Sequence, residues 1–281
     1  ETFFMKPNRL KERMLANDPS LLNGWLTLGS VAAAEVMSRQ PWDALTIDMQ
    51  HGLIGYSGMV AGLTAIDSSP STVGMVRVEA NNPTPIGRAL DAGAVGVIVP
   101  LINNAEEAAA AVAAAKYPPF GIRSYGPMRS QLRIGPVPAD ANRDTVVFAM
   151  IETPQGLANV EEICAVPGLD GVYVGPSDLR IAVGGKHSND PDVAEEFESA
   201  LTRVREAAAV SGVAAGIHTP SGQVAAQRLG EGYTFATVAS DLTVGDRDGN
   251  QAVTAATADR VMRAMWATIT TVNVSIGRNG V

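Results

Sequence analysis

The side chains able to do chemistry in this 281-residue sequence gather at the ends of short apolar runs. Glu152 closes Val146-Val147-Phe148-Ala149-Met150-Ile151, and Asp178 comes just after Gly171-Val172-Tyr173-Val174 and the turn Gly175-Pro176-Ser177. Arg77 ends Val73-Gly74-Met75-Val76, Asp48 and His51 follow Ile47, and His218 and Ser240-Asp241 end two later runs. A carboxylate at the end of a buried run is partly desolvated and needs a cation. Two of them, Glu152 and Asp178, with the other coordination positions left to water and substrate oxygens, suit a hard ion such as Mg2+ or Mn2+. The alternative is that Glu152 pairs with a guanidinium such as Arg77 and that no metal is present.

Arg77 can grip a carboxylate or an enolate oxygen with two parallel hydrogen bonds, or form a structural ion pair across the protein. His51 is one of three histidines, and histidine is the side chain that exchanges protons near neutral pH. Asp48 lies three residues earlier, and Asp91 in Arg88-Ala89-Leu90-Asp91-Ala92-Gly93 could orient the imidazole if the next unit folds beside it. His218 is either a supporting group of the site or a core histidine, and His187 lies in a polar loop. The Gly175-Pro176-Ser177 turn exposes backbone N–H groups that suit a substrate carboxylate. No GxxxxGK loop and no GxGxxG after a strand support nucleotide binding. Lys6, Lys11, Lys116 and Lys186 are the only lysines; none falls in a predicted strand, which disfavours a Schiff-base mechanism.

The elements that must position these groups recur in a regular order. Eight short apolar segments, as a set rich in β-branched residues, predict strands at Gly24–Gly29, Ala44–Ile47, Val73–Val78, Val95–Val99, Val146–Ile151, Gly171–Val174, Ala214–Ile217 and Thr234–Ala239. Helices are predicted at Ala32–Ser38, Tyr56–Asp67, Pro83–Ala92, Ala105–Lys116, Leu157–Ala165, Pro191–Val210, Ser221–Gly230 and Ala258–Thr271. Alternation of this kind predicts repeated β–α units around a buried parallel sheet, and eight units favour a closed barrel with its ligands at the carboxyl ends of the strands. Two stretches break the rhythm: Pro118–Asp144, a functional loop or an insertion that could shape a substrate's far end, and the polar Asp246–Thr257.

Composition narrows the partners. With 46% hydrophobic and 18% charged residues the chain has enough apolar surface for a large core, so disorder of the whole is excluded. A net charge of -8 offers no basic footprint for nucleic acid or an anionic membrane. Cys164 is the only cysteine, which excludes an intrachain disulfide and a cysteine-built zinc site and fits a reducing cytoplasm. The first residues do not read as a signal peptide, and no run approaches the roughly 18 apolar residues of a membrane span.

Several motifs together resemble one family. Ile47-Asp48-Met49-Gln50-His51-Gly52, Arg88-Ala89-Leu90-Asp91-Ala92-Gly93-Ala94, Tyr117-Pro118-Pro119 with Gly121-Ile122-Arg123, Ile151-Glu152-Thr153, and Gly171 to Leu179 are similar, in order and spacing, to the HpcH/HpaI class II aldolases. These are metal-dependent pyruvate aldolases that include hydroxy-oxo-heptanedioate aldolase and dehydro-deoxy-glucarate aldolase. The likeness runs from about Trp25 to Asp241. It implies a (β/α)8 TIM barrel of the phosphoenolpyruvate/pyruvate superfamily as a single domain over 1–281. The core is expected at about 24–241, with a C-terminal helical extension, 242–281, exchanged between subunits of a trimer or hexamer.

By the same resemblance Glu152 and Asp178 are the metal ligands, for Mg2+ or Mn2+ with Co2+ a third candidate. Arg77 stabilises an enolate, His51 is the base oriented by Asp91, and Asp48 is the acidic residue near the aldehyde end. Gly175, Pro176 and Ser177 form the turn that holds the pyruvate carboxylate. The implied reaction is reversible cleavage of a 4-hydroxy-2-keto acid to pyruvate and an aldehyde through an enolate held on the metal, with oxaloacetate decarboxylation on the side. Met150 departs from the family, which often has Gln there, and Gln50 stands where many members carry an acid. Two other readings are a citrate-lyase-β-like enzyme acting on acyl-CoA thioesters and a catalytically silent ligand-binding barrel.

Overall fold

The computed structural model describes residues 9–15 and 21–242. Eight strands, β1 (Leu21–Leu26), β2 (Ala44–Asp48), β3 (Val73–Arg77), β4 (Gly96–Val99), β5 (Val146–Ile151), β6 (Gly171–Val174), β7 (Ala214–His218) and β8 (Phe235–Ser240), pair in parallel in chain order. β8 pairs back onto β1, and the barrel closes.

Because side chains alternate along a strand, each strand feeds two cores. The inward set includes Leu21, Trp25, Ala44, Met75, Ile98, Val146, Phe148, Met150, Tyr173 and Phe235. The outward set, among them Leu22, Ile47, Val76, Val97, Val147, Ile151, Val172 and Ile217, packs under the helices. Counted forward from the inward residues, the same two-residue period directs Asp48, Arg77, Glu152, Gly175 and His218 to the inside at the carboxyl end.

Those helices are α2 (Val31–Ser38), α3 (Tyr56–Ile66), α4 (Pro83–Asp91), α5 (Ala105–Ala115), α7 (Pro154–Ala158) with α8 (Val160–Cys164), α10 (Ala194–Ser211) and α11 (Gly222–Gly230). Local chemistry starts them. Asn104 accepts from the Glu107 N–H, Asn82 accepts from the Thr84 N–H with Pro83 in the first turn, and Ser221 accepts from the Val224 N–H. These bonds satisfy donors that a helix start leaves without partners. Short helices absent from the sequence reading are α1 (Arg9–Leu15), α6 (Pro138–Asp144) and α9 (Pro176–Ala182). α1 lies at the amino end of the barrel: Leu10 joins the inward core and Lys11 Nζ lies 2.8 Å from Asp170.

Two expectations need correction. The first strand lies at Leu21–Leu26 rather than Gly24–Gly29, because Asn23 is buried and hydrogen-bonded inside the barrel rather than marking a turn. The stretch Pro118–Asp144 does not border the carboxyl ends of the strands of its own barrel. It leaves the last turn of α5 and enters β5, and its arginines clamp the carboxyl ends of α3 and α4. Arg129 reaches Asp67 at 2.8 Å and the Ala92 carbonyl at 2.7 Å, Arg133 also pairs with Asp67, and Arg123 bonds Asp91 at 2.6 Å. Helices run antiparallel to the strands they cover, so this end is the one away from Glu152. The expected helix at Ala258–Thr271 and its exchange lie outside the described residues.

Candidate active site

At the carboxyl end of the barrel the first feature is a buried ion pair. Asp48 and Arg77 are register partners on β2 and β3. Arg77 Nε donates to Asp48 Oδ1 at 2.9 Å and Nη2 to Oδ2 at 2.6 Å. Asp48 also accepts from the backbone N–H of Gln50 (3.0 Å) and of His51 (3.2 Å) and from Trp25 Nε1 (3.3 Å). Burial alone would raise the Asp48 carboxyl; the Arg77 hydrogen bonds and charge outweigh it and hold the group below its ordinary value. Arg77 is steadied from the other side by the Trp25 ring, 5.0 Å from its central carbon. Its Nη1 carries no hydrogen bond among the described residues.

Glu152 continues the inward parity of β5 and is 3% exposed. Its Oε1 accepts from the N–H of Leu101 at 2.9 Å, and Leu101 is held at φ 56°, a left-handed conformation rare for a leucine. No hydrogen bond among the described residues reaches Oε2. Burial, with the charge of Asp178 adding to it, pushes the Glu152 carboxyl above its ordinary value. Gly175 makes room for this carboxylate: a Cβ there would lie 2.5 Å from Glu152 Oε2 and 3.1 Å from Met150 Cε. Asp178 stands exposed in the first turn of α9, where the N–H groups of Ser177 and Asp178 have no partner inside the helix and Pro176 has none to offer.

The alternative expectation, an ion pair between Glu152 and Arg77, is not what forms: the guanidinium fork is spent on Asp48. A buried carboxylate with a free oxygen, next to a second carboxylate, fits a divalent cation. Among the described residues no cluster of three or more His, Cys, Asp and Glu side chains is placed to hold a metal. Two protein carboxylates with the remaining positions open to water and substrate is the arrangement hard ions accept.

The other expected residues are spread more widely. His51 is exposed at the mouth, tied to Asp48 through its backbone. Asp91 ends α4 at the opposite end of the barrel, bonded to Arg123; among the described residues no hydrogen bond joins it to His51. His218 is inside the barrel, edge-on to Trp25 at 5.0 Å, with Nδ1 3.5 Å from Tyr173 Oη. Burial, then the Arg77 charge, pulls it down to about 4, so it is neutral at physiological pH. Sequence reading passed over Trp25, Tyr173 and Leu101. The period of two would have turned Trp25 and Tyr173 inward beside Asp48 and Arg77, whereas nothing in the sequence marks the backbone of Leu101.

The family model for "HpcH/HpaI aldolase/citrate lyase" matches residues 22–245. The chain belongs to the HpcH/HpaI aldolase/citrate lyase family. It is 42% identical over 224 residues to the hydroxypyruvate/pyruvate aldolase of Rhizorhabdus wittichii, covering 79% of this chain and 88% of that protein. It is 34% identical to the 5-keto-4-deoxy-D-glucarate aldolase of Enterobacter sp., covering 85% and 92%. Among solved structures, an HpcH/HpaI aldolase/citrate lyase family protein from Burkholderia cenocepacia J2315 superposes with a TM-score of 0.75 at 31% identity, over 95% of this chain and 99% of that one. Like its named HpcH/HpaI relatives, the chain is a carbon–carbon lyase. Among the described residues no helix is long and apolar enough to cross a membrane.

Proposed function

We propose that the chain is a divalent-metal-dependent aldolase that reversibly cleaves a 4-hydroxy-2-keto acid to pyruvate and an aldehyde. The observation that carries this reading is the buried, half-bonded Glu152 beside Asp178, with Arg77 committed to Asp48 rather than to Glu152. Glu152 and Asp178 would hold Mg2+, Mn2+ or Co2+, which supplies a Lewis acid for the keto oxygen when bound. The rest falls to the protein. The free N–H groups of Ser177 and Asp178 hold the keto acid's carboxylate at the Gly175-Pro176-Ser177 turn. Arg77, kept in place by Asp48, aims its unbonded Nη1 at the oxygen that gains charge as an enolate forms. His51, at the open side, takes and returns the proton at the reacting carbon.

Asp48 then works through Arg77 and the His51 turn, besides the role near the aldehyde that the resemblance implies. Asp91 can orient His51 only if another chain brings it to the mouth. A homo-oligomer in the cytoplasm, acting on small molecules, belongs to the same proposal. Phe120, Ile122 and Met128 support the oligomer: they lie within one stretch and are 72%, 67% and 78% exposed, a pattern that marks interaction surfaces. The test is pyruvate released from a hydroxy-keto acid with added Mg2+ or Mn2+, then after chelation. Turnover that needs the metal is the expected result, and undiminished turnover after exhaustive metal removal would contradict it.

A further inference from the structure

Inside the barrel a file of polar groups leads from the centre to His218. Tyr173 Oη lies 2.6 Å from Thr237 Oγ1, Thr237 Oγ1 lies 2.8 Å from the Asn23 amide, and Thr46 Oγ1 lies 3.0 Å from it on the other side. Tyr173, Thr237, Asn23 and Thr46 are all fully buried, so each donor must find an acceptor within the file.

The orientation of the Asn23 amide sets the direction of every hydrogen bond in it, and an amide is oriented by its partners. With nitrogen toward Thr237, its oxygen would face the carbonyls of Ala44 and Gly24, which cannot donate. Turned the other way, the nitrogen donates to Ala44 O at 3.1 Å and Gly24 O at 3.2 Å, and the oxygen accepts from Thr237 Oγ1. Thr237 has then spent its hydrogen on Asn23 and accepts from Tyr173 Oη. Tyr173 has spent its own on Thr237, so toward His218 it can only accept. His218 is neutral and must therefore carry its hydrogen on Nδ1, pointed at Tyr173.

Its other nitrogen, Nε2, is left as a lone-pair acceptor, and no hydrogen bond among the described residues reaches it. Trp25 packs edge-on against the ring and fixes its plane. His218 ends β7 on the inward parity and is only part-buried, and Trp25, against which it packs, also bonds Asp48 and lies against Arg77, so the imidazole belongs to the same mouth as those two residues.

We infer that His218 is a specificity-determining residue whose Nε2 accepts a hydrogen bond from a substrate hydroxyl, so that this site favours hydroxylated substrates over their deoxy counterparts. This inference rests on the aldolase reading above. The hydroxyl belongs either to the keto-acid donor or to the aldehyde acceptor; the chemistry is the same, and the substrate pairs below tell them apart. A hydroxylated partner gains the bond, whereas a deoxy partner leaves a buried acceptor unpaired.

The experiment compares kcat/KM for hydroxypyruvate against pyruvate with one aldehyde, and for glycolaldehyde against acetaldehyde with pyruvate, in the wild type and in His218→Leu, His218→Gln and Tyr173→Phe. The expected result is a fall of about tenfold in the hydroxyl-to-deoxy ratio of one pair in His218→Leu, a smaller fall in Tyr173→Phe, and partial recovery in His218→Gln. Ratios unchanged in both pairs, with absolute rates falling together, would overturn it. A second readout does not depend on turnover: nitrogen NMR of labelled histidine should show His218 neutral with its proton on Nδ1, and its Nε2 signal should move with hydroxypyruvate more than with pyruvate. A proton on Nε2, or equal movement, would overturn the inference even if the aldolase reading holds. Absence of turnover with every pair would sink the aldolase reading and this inference with it, whereas the unchanged ratios and the NMR results above overturn the inference alone.

Discussion

Asp48 and Arg77 sit opposite each other on adjacent strands and share two parallel hydrogen bonds, 2.9 and 2.6 Å long, in the wall of the barrel mouth. The pair is nearly dry, with side chains 2% and 11% exposed. A forked ion pair in such a place fixes the guanidinium far more closely than a single contact would.

Asp48→Asn keeps the shape but loses the charge and one acceptor. Arg77 is then left buried without its counter-ion, which costs about 3 to 5 kcal/mol of stability. A guanidinium displaced by about 1 Å lowers kcat about a hundredfold. Urea unfolding and steady-state kinetics measure the two effects, and both should change together.

Arg77→Lys keeps the charge and discards the fork. A lysine cannot hold both Asp48 oxygens while presenting a third nitrogen to substrate. Stability should fall less than in Asp48→Asn, while kcat falls at least tenfold, about 1.4 kcal/mol in the barrier.

Gly175→Ala places a methyl 2.5 Å from Glu152 Oε2, and the Leu101 N–H resists the displacement of that carboxylate. The fold should survive, because the atom struck is the end of a side chain. The expected effect is a weakening of Mn2+ binding by about ten- to a hundredfold, read by calorimetric titration with circular dichroism as the control for folding.

His218 gives a pH signature. Its folded value of about 4 is below the ordinary 6.5 because of burial and then the Arg77 charge, so the unfolded chain takes up the proton first. The stabilising contribution is complete above about pH 6.5 and is lost as pH falls through about 4. Between pH 7 and about 4.5 the wild type should lose roughly 2 to 3 kcal/mol that His218→Leu does not lose. Asp48 and Glu152 titrate in both proteins and cancel in the difference. Urea midpoints across that range supply the measurement.

The barrel was legible because β5 and β6 are short runs with no charged residue and with several valines or isoleucines, and their bounds coincide with the predicted ones. β1 was displaced by three residues because Asn23 and Gly24 carry turn chemistry in the sequence, yet Asn23 is satisfied by Thr237 and Thr46 inside the barrel. Helix α9 escaped notice because Gly175 and Pro176 look like a turn; they are its cap and first residue. In the site, strand parity pointed Glu152 and Arg77 to a common mouth. Parity does not say which carboxylate the guanidinium chooses, and the choice of Asp48 leaves Glu152 with a free oxygen. The sequence leaves the Pro118–Asp144 stretch as a functional loop or an insertion; the antiparallel run of α5 puts its arginines at the far end, on Asp67 and Asp91.

The most direct test of the central claim is a Mn2+ titration of the metal-stripped protein, followed by calorimetry or water-proton relaxation, alongside Glu152→Gln and Asp178→Asn. A stoichiometric site in the wild type, weakened about tenfold or more in each variant and tightened by pyruvate, is the predicted result. Equal affinity in all three proteins, or no site in the wild type, would contradict it.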